Sequence, residues 1–412
     1  TVGHGRQAVL GDTVASLLEW NGFDVTREYY YNDAGRQMRI LGQSVEARYF
    51  EALGKPFEFP EDGYQGNYII NIAKSILHHH GSDLERDHDQ FRETAENAIF
   101  SDIKNTLSEL GIIHDQFSNE KTFYDNGAID QLLTDLKAKE LIYESEGATW
   151  LKTSALGKDQ DRVYIKSSGE PTYRLPDTAY HRDKVERNFD EIIDIFGADH
   201  ADTYPDVLAA LDALEIPVDH IRVLIHQFVT LLRDGEKVKM STRKANFVTL
   251  EDLVKEVGKD VVRYFFIMRS MTSHLDFDLN LAADQSDKNP VFYLQYAHAR
   301  IANIMKHGES LGHSFSHDFD SSLISEKEEF TLIKHLMRFP ELSEQLYESL
   351  EPQMLATYLQ ELAAHFHKFY GKCKVITDDS ALTQTRLALI TCAKITLGNG
   401  LSILGLSAPD RM

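Results

Sequence analysis

Apolar residues at Leu10, Val14, Leu17 and Leu18 fall at the i, i+4, i+7, i+8 spacing of one helical face. GRQAVLGDTVASLLEW therefore reads as an amphipathic helix, closed by Asn21-Gly22. FDVTREYYY behind it is rich in β-formers, and a second helix is expected from Gly35 to Leu53. Strand–helix alternation of this kind marks an α/β layered domain. From about Ala73 to Thr149 the pattern turns long, polar and helical, as in DLERDHDQFRETAENAIFSDIKNTLSELG, and reads as an insertion. Strand-like runs return in RVYIK, EIIDIFGA and IRVLIHQF. Beyond a basic KMSTRK stretch the chain is expected to be helical from Leu250. From Asn289 to Met412 nearly every segment is an amphipathic helix, with Pro340 and Pro352 marking helix starts. The expected fold class is α/β, a split layered domain followed by an all-α bundle.

At 412 residues the chain exceeds one compact core, so two to four domains are expected. Its 42% hydrophobic and 26% charged residues carry no fibrous or disordered bias. Apolar runs such as LALITCAKITLG are too short and interrupted to cross a membrane, and no signal peptide is visible behind Thr1. Cys373 and Cys392 read as reduced thiols of a cytoplasmic protein. The net charge of -22 excludes binding to nucleic acid by bulk attraction. Acidic residues outnumber Lys and Arg from Asn289 onward too, so any RNA contact must come from local basic spots. The run His78-His79-His80 has no Cys or carboxylate partner at ligand spacing, and no protein-bound metal is expected.

Two short stretches carry candidate chemistry. Thr1-Val2-Gly3-His4-Gly5-Arg6 stands directly before the first helix. Small residues there let backbone N–H groups approach a phosphate, the helix dipole favours an anion, and His4 can donate to it. A glycine-eased helix start with a solvent-facing His explains the same residues. Lys237-Val238-Lys239-Met240-Ser241-Thr242-Arg243-Lys244 places four cations in eight residues behind the turn Arg233-Asp234-Gly235-Glu236. Such a loop suits closure on pyrophosphate, although a solvated basic face has the same composition.

The pairing of the two stretches resembles the signature of class I aminoacyl-tRNA synthetases, whose motifs are named for their His-Ile-Gly-His and Lys-Met-Ser-Lys forms. Here they stand as Thr1-Val2-Gly3-His4 and Lys239-Met240-Ser241-Thr242, with Thr in place of the first His and of the last Lys. Arg243 and Lys244 carry the charge that Thr242 lacks. Tyr30-Tyr31-Asn32-Asp33-Ala34-Gly35-Arg36-Gln37, DRVYIKSSGEPTYRLPDTAYHRDK, IFGADHAD, KMSTRKANFVTLEDL, NPVFYLQYAHARI and the closing LGLSAPDRM are similar to stretches of arginyl-tRNA synthetases, in order and over essentially the whole chain.

The resemblance implies a Rossmann-like class I catalytic domain, split by an insertion, followed by an all-α anticodon-binding bundle. The divisions expected are 1–75 and 161–235 for the catalytic halves, 76–160 for the insertion, 236–288 for the loop and connecting stem, and 289–412 for the bundle. It implies arginine–tRNA ligase activity, with arginine, ATP with Mg²⁺ and tRNA(Arg) as substrates, in a cytoplasmic monomer. A guanidinium wants a planar carboxylate and an aromatic neighbour. Tyr173 and Asp177 match the family positions that hold the arginine side chain, and His200 is a further candidate. Asp177 also reads as an ordinary N-cap of a helix starting at Thr178. Gly197 and Asp199 lie where the family brings backbone and an acid near the nucleotide ribose. Tyr296, Phe369, Tyr370 and Met412 are the expected anticodon contacts, because unpaired bases stack on aromatic faces.

A class I domain has a strand and a Pro- and Gly-containing turn before the Thr-Val-Gly-His motif, so the chain is expected to be a fragment that is inactive alone. A non-catalytic tRNA-binding paralogue and a nucleotidyl-transferring relative that does not use tRNA are the alternatives. Intact Tyr173, Asp177 and Lys239 argue against the first, and the helical C-terminal region with LGLSAPDRM against the second.

Overall fold

A computed structural model describes residues 1–238 and 248–412. The chain opens with α1 (Val2–Trp20), β1 (Glu28–Tyr31), α2 (Gly35–Ala52), α3 (Asn67–His80) and α4 (Asp89–Glu109). β2 (Gln116–Asn119) runs straight into α5 (Glu120–Asp125) and α6 (Ala128–Ala138). A three-stranded antiparallel sheet follows, β3 (Ile142–Ser145), β4 (Ala148–Leu151) and β5 (Arg162–Ile165). Next come α7 (Arg174–Glu186), β6 (Ile192–Gly197), α8 (Tyr204–Ala213) and β7 (Ile221–His226). A connecting piece holds β8 (Val229–Arg233), β9 (Glu236–Lys237), α9 (Leu250–Val257), α10 (Lys259–Ile267), β10 (Leu275–Asp278) and α11 (Leu279–Ala283). The bundle is α12 (Pro290–Ser310), α13 (Lys327–Leu336), α14 (Phe339–Ser349), α15 (Gln353–Lys372) and α16 (Ser380–Ile403).

β1 pairs with β2 in parallel, Glu28 opposite Gln116, and β6 pairs with β7 in parallel, Ile192 opposite Ile221. Parallel neighbours need a crossover, which α2–α4 supply for the first pair and α8 for the second. The stretch from Ala73 to Thr149 is therefore not helical throughout. Its helical run ends at Glu109, because QFSN returns as β2 to extend β1, and β3 and β4 form a hairpin beyond. The four residues that predicted α1, Leu10, Val14, Leu17 and Leu18, are all buried.

Asn289 caps α12 through Val291 N–H and Pro290 occupies its first turn, where a missing N–H costs nothing. α9 is fixed at its start by a capping box in which Thr249 and Asp252 satisfy each other's backbone N–H. A single apolar core runs from α1 (Val9, Leu17) through α10 (Phe265, Phe266) into the bundle (Leu294, Phe366, Leu397).

Arg263 of α10 lies inside that core and is 1% exposed. Its Nη2 donates to Asp12 Oδ2 of α1 at 2.7 Å, its Nη1 to Leu110 O behind α4 at 3.1 Å, and its Nε to Leu404 O behind α16 at 3.0 Å. Asp12 also accepts from Arg27 Nε at 3.0 Å. Gly405 has φ +71°, and a Cβ there would sit 2.2 Å from Arg263 Nη2, so both backbone and space demand glycine. Arg263→Met leaves two buried carbonyls without donors and should cost about 3–5 kcal/mol of folding free energy. Urea unfolding measures this, and a loss under about 1 kcal/mol would contradict it.

Candidate active site

Ligands of open α/β sheets gather at the carboxyl ends of parallel strands. Those ends carry residues that lie far apart along the chain, from Tyr30 to His226. β1 ends at Tyr30 and Tyr31 with Asn32 and Asp33 beyond, and β2 hands over to Glu120. β6 ends at Gly197, followed by Asp199 and His200 in a single 3-10 turn, and β7 ends at His226.

The Thr-Val-Gly-His stretch is not a turn before the helix. It is the first turn of α1, because Thr1 already acts as N-cap and accepts from His4 N–H through Oγ1 at 3.4 Å. Val2 is buried and Gly3 is open on one side. Gly5 serves packing instead, since a Cβ there would lie 2.5 Å from Leu250 Cδ1 of α9. Thr1 Oγ1 also lies 2.9 Å from His4 Nδ1. Desolvation pushes the His4 imidazole below its ordinary pKa, against the pull of Asp199.

Gln7 Nε2 donates to Ile195 O at 2.6 Å and so fixes α1 against β6. A Cβ on Gly197 would meet Asp199 Oδ1 at 2.5 Å and lie 3.9 Å from His226 Nε2, so the Asp199 carboxylate and the His226 ring both stand beside this backbone. His226 is 5% exposed, and its Nε2 has no partner among the described residues. Burial lowers its pKa as well. Lys239, Met240, Ser241, Thr242, Arg243 and Lys244 lie outside the described residues.

Tyr173 and Asp177 belong to α7, where Tyr173 is the N-cap and exposed, and Asp177 N–H bonds Tyr173 O at 3.1 Å. Asp177 is thus the fourth residue of its helix and caps nothing, so the N-cap reading is set aside. Its carboxyl faces Tyr30, Tyr124 and Glu120, and among the described residues it receives no hydrogen bond and no ion pair. Burial raises its pKa, while His181, His200 and Lys184 pull it down.

Glu120 has the same environment. Its carboxyl accepts from Tyr30 Oη at 3.2 Å and is pushed up to about 7 by burial, with Asp177 and Asp33 adding to the rise. Tyr30 stacks on Tyr180 of α7, ring centroids 4.4 Å apart, which closes the wall. The result is a pair of buried carboxyl groups among tyrosine rings, with no cation bonded to either among the described residues. His200 acts on the Asp177 carboxyl from the end of β6, where it stacks on Phe196 at 5.3 Å.

A second cluster lies on α12 and α15. Tyr296 is 47% exposed and stacks on His367 at 5.9 Å. Arg300 sits over both Tyr296 (5.4 Å) and Tyr370 (4.5 Å). Desolvation and then Arg300 push His367 down to about 4, so it is a neutral ring at pH 7. Met412 is exposed at the chain's end, held nearby by Gln295 and His298, which bond Ser407 O (3.1 Å) and Pro409 O (2.9 Å). Phe369 is 0% exposed and packs in the bundle core, so it offers no face to a base and leaves the candidate set.

Glu120, Tyr30 and His226 were not singled out from the sequence. No local pattern marks them, because only strand pairing brings them to one place. Arg300 and His367 were legible, lying four residues after Tyr296 and three before Tyr370.

The sequence pattern of class I tRNA synthetases (R), catalytic domain, matches residues 1–303, and that of the DALR anticodon binding domain matches residues 294–412. The chain is 52% identical to the arginine–tRNA ligase of Desulfotalea psychrophila, covering 100% of this chain and 75% of that protein. It is 49% identical to the arginine–tRNA ligase of Salinibacter ruber, covering 100% and 76%. The structure of Thermus thermophilus arginyl-tRNA synthetase superposes with a TM-score of 0.76 at 22% identity, over 100% of this chain and 80% of that one, a likeness of fold.

Glu120 should titrate near pH 7, as read by carboxyl ¹³C NMR. Tyr30→Phe should raise the midpoint further, because the lost hydroxyl stabilises the charged form. A midpoint in the ordinary carboxylate range would overturn the description of the recess.

Proposed function

The chain belongs to the class I arginyl-tRNA synthetases, and we propose that its acidic recess between Tyr30, Glu120 and Asp177 holds the side chain of arginine. The reaction is the ATP-dependent joining of arginine to tRNA through arginyl-adenylate. The observation that carries the pocket assignment is the pair of carboxyl groups that no cation among the described residues bonds. A guanidinium supplies the missing charge and donors in one planar group, and Tyr30 and Tyr180 give it an aromatic wall. Tyr173, exposed one turn before Asp177, and His200 at the end of β6 are assigned to the same substrate.

With the guanidinium anchored there, the arginine carboxylate faces the first turn of α1 and the ends of β6 and β7. One of its oxygens attacks the α-phosphorus of ATP, the bond to the bridging oxygen breaks, and pyrophosphate leaves with that electron pair. The terminal ribose hydroxyl of tRNA then attacks the activated carbonyl and displaces AMP. No side chain forms a covalent bond in this sequence, so the protein acts by positioning and by stabilising charge on the phosphates.

His4 and the N–H groups of Thr1, Val2 and Gly3 face the polyphosphate at the positive end of α1, and Gly197 and Asp199 face the ribose. Lys239, Met240, Ser241, Arg243 and Lys244 supply cations and a hydroxyl donor to the same phosphates. Mg²⁺ enters with ATP as part of the substrate. Tyr296, Tyr370 and Met412, joined by Arg300 and His367, form the platform for anticodon bases. We assign residues 1–75 and 161–235 to catalysis, 76–160 to the insertion, 236–288 to the loop and stem, and 289–412 to the anticodon module, in a cytoplasmic monomer.

Asp177→Asn removes one partner of a buried charge pair, and the KM for arginine should rise about 30-fold or more while that for ATP barely moves. Equal KM values would sink the pocket assignment. Glu120 must lose a proton to pair with the guanidinium, so arginine affinity should climb as the pH rises from 6 through about 7 and level off above that. Calorimetry in buffers of different ionisation heat should show close to one proton released per arginine at pH 6, and none in Glu120→Gln. For the platform, Tyr296→Ala should weaken tRNA binding by about 1–3 kcal/mol without changing the arginine KM.

A further inference from the structure

We propose that Tyr124 is a specificity residue of the arginine pocket, its hydroxyl oxygen accepting the guanidinium N–H that Asp177 and Glu120 leave over. The inference rests on those two carboxyl groups being the partners of the guanidinium.

Tyr124 lies four residues after Glu120 on α5, so the two side chains leave the helix on one face. The residue is half-buried and packs against the core that holds Leu175, Ala179 and Tyr180, as Tyr30 does. Its Oη is shut off from solvent and has no hydrogen-bond partner among the described residues. A buried hydroxyl left unpaired is costly and uncommon.

The neighbouring tyrosine hydroxyls are paired. Tyr30 Oη donates to Glu120 Oε2 at 3.2 Å, Tyr164 Oη lies 2.9 Å from Thr178 Oγ1, and the Tyr180 hydroxyl bonds Glu28. Tyr124 stands apart from them in this respect, yet it belongs to the same place. Burial and then the charges of Glu120 and Asp177 hold its hydroxyl above the ordinary tyrosine pKa, and Tyr124 in turn acts on Tyr30. The unpaired oxygen therefore sits among the groups that define the pocket.

A guanidinium accounts for it. The group carries five N–H donors in one plane. A carboxylate takes them two at a time along an edge, so two carboxylates use four. The fifth needs a single acceptor. A third carboxylate there would add another buried negative charge, whereas a tyrosine oxygen accepts one bond and adds none. The Tyr124 hydrogen remains free to go to either carboxylate, so substrate entry satisfies both halves of the hydroxyl.

Tyr124→Phe removes the oxygen and keeps the ring. With no partner to lose in the free protein, the variant should melt within about 1 °C of the unaltered chain or above it. Its affinity for arginine, read by calorimetry on the full chain, should fall about tenfold, with ATP affinity within about twofold. The second ligand is ω-N-methylarginine, in which a methyl group replaces one N–H. The same substitution should weaken it by less than about threefold, because the bond removed is one the analogue does not make.

A melting temperature lowered by several degrees would mean that the hydroxyl is already engaged in the free protein, and it overturns the inference. Equal weakening of arginine and its analogue marks a general defect of the pocket and overturns it too. If Asp177→Asn weakens arginine and Tyr124→Phe does not, the carboxyl reading stands and Tyr124 has no part in it. If neither does, the pocket itself is misassigned and the proposal falls with it.

Discussion

A guanidinium has been taken out of water at Arg263 and given three acceptors from three distant stretches of chain. Asp12 belongs to α1, whose first turn carries His4, Leu110 closes the last helix before β2, and Leu404 closes the final helix of the bundle. Desolvating that charge is costly unless every donor is matched, so the three segments cannot drift apart independently. The apolar core follows the same path, from Val9 and Leu17 through Phe265 and Phe266 to Phe366. Catalytic layer and helical bundle are thereby parts of one packed body. The cost of the arrangement appears at Gly405, where neither a left-handed backbone nor a neighbouring guanidinium tolerates a side chain.

The electrostatics of the proposed arginine pocket invert the usual rule for buried charge. Carboxylates in a protein interior normally find cations, as Asp194 finds Lys184 and His181, and as Glu329 finds Arg386 at 2.7 Å. Among the described residues Asp177 and Glu120 do not, and their pKa values rise because burial works against their charge. Such a recess selects for a ligand that brings its own positive group and enough donors to satisfy both carboxyls. Selection against neutral ligands follows from the same physics, since a site built for a cation is left unpaired by anything else.

Recognition of tRNA by a chain of net charge -22 then depends on concentrating favourable contacts. On the bundle, Arg300 places its charge over two tyrosine rings, and His367 is kept neutral beside it. Bases stack on such a surface through their faces, which needs little positive charge. An acidic remainder discourages loose association with other polyanions, so contact is confined to where shape and stacking agree.

Much of this was legible in the residues. Periodicity placed α1 with its buried Leu10, Val14, Leu17 and Leu18, and the helical bundle from Asn289 onward. Resemblance carried the family, which the matches over 1–303 and 294–412 bear out. Local spacing put Tyr173 and Asp177 one turn apart, because four residues along a helix share a face whatever surrounds them. What the sequence could not determine was non-local. That QFSN leaves a polar helical run to extend EYYY as a parallel strand depends on hydrogen bonds spanning 88 positions, and Glu120 reaches the pocket only as a consequence. Phe369 looks the same in sequence as Tyr370, yet one is core and the other borders the platform, a choice made by the packing of α15 against its neighbours.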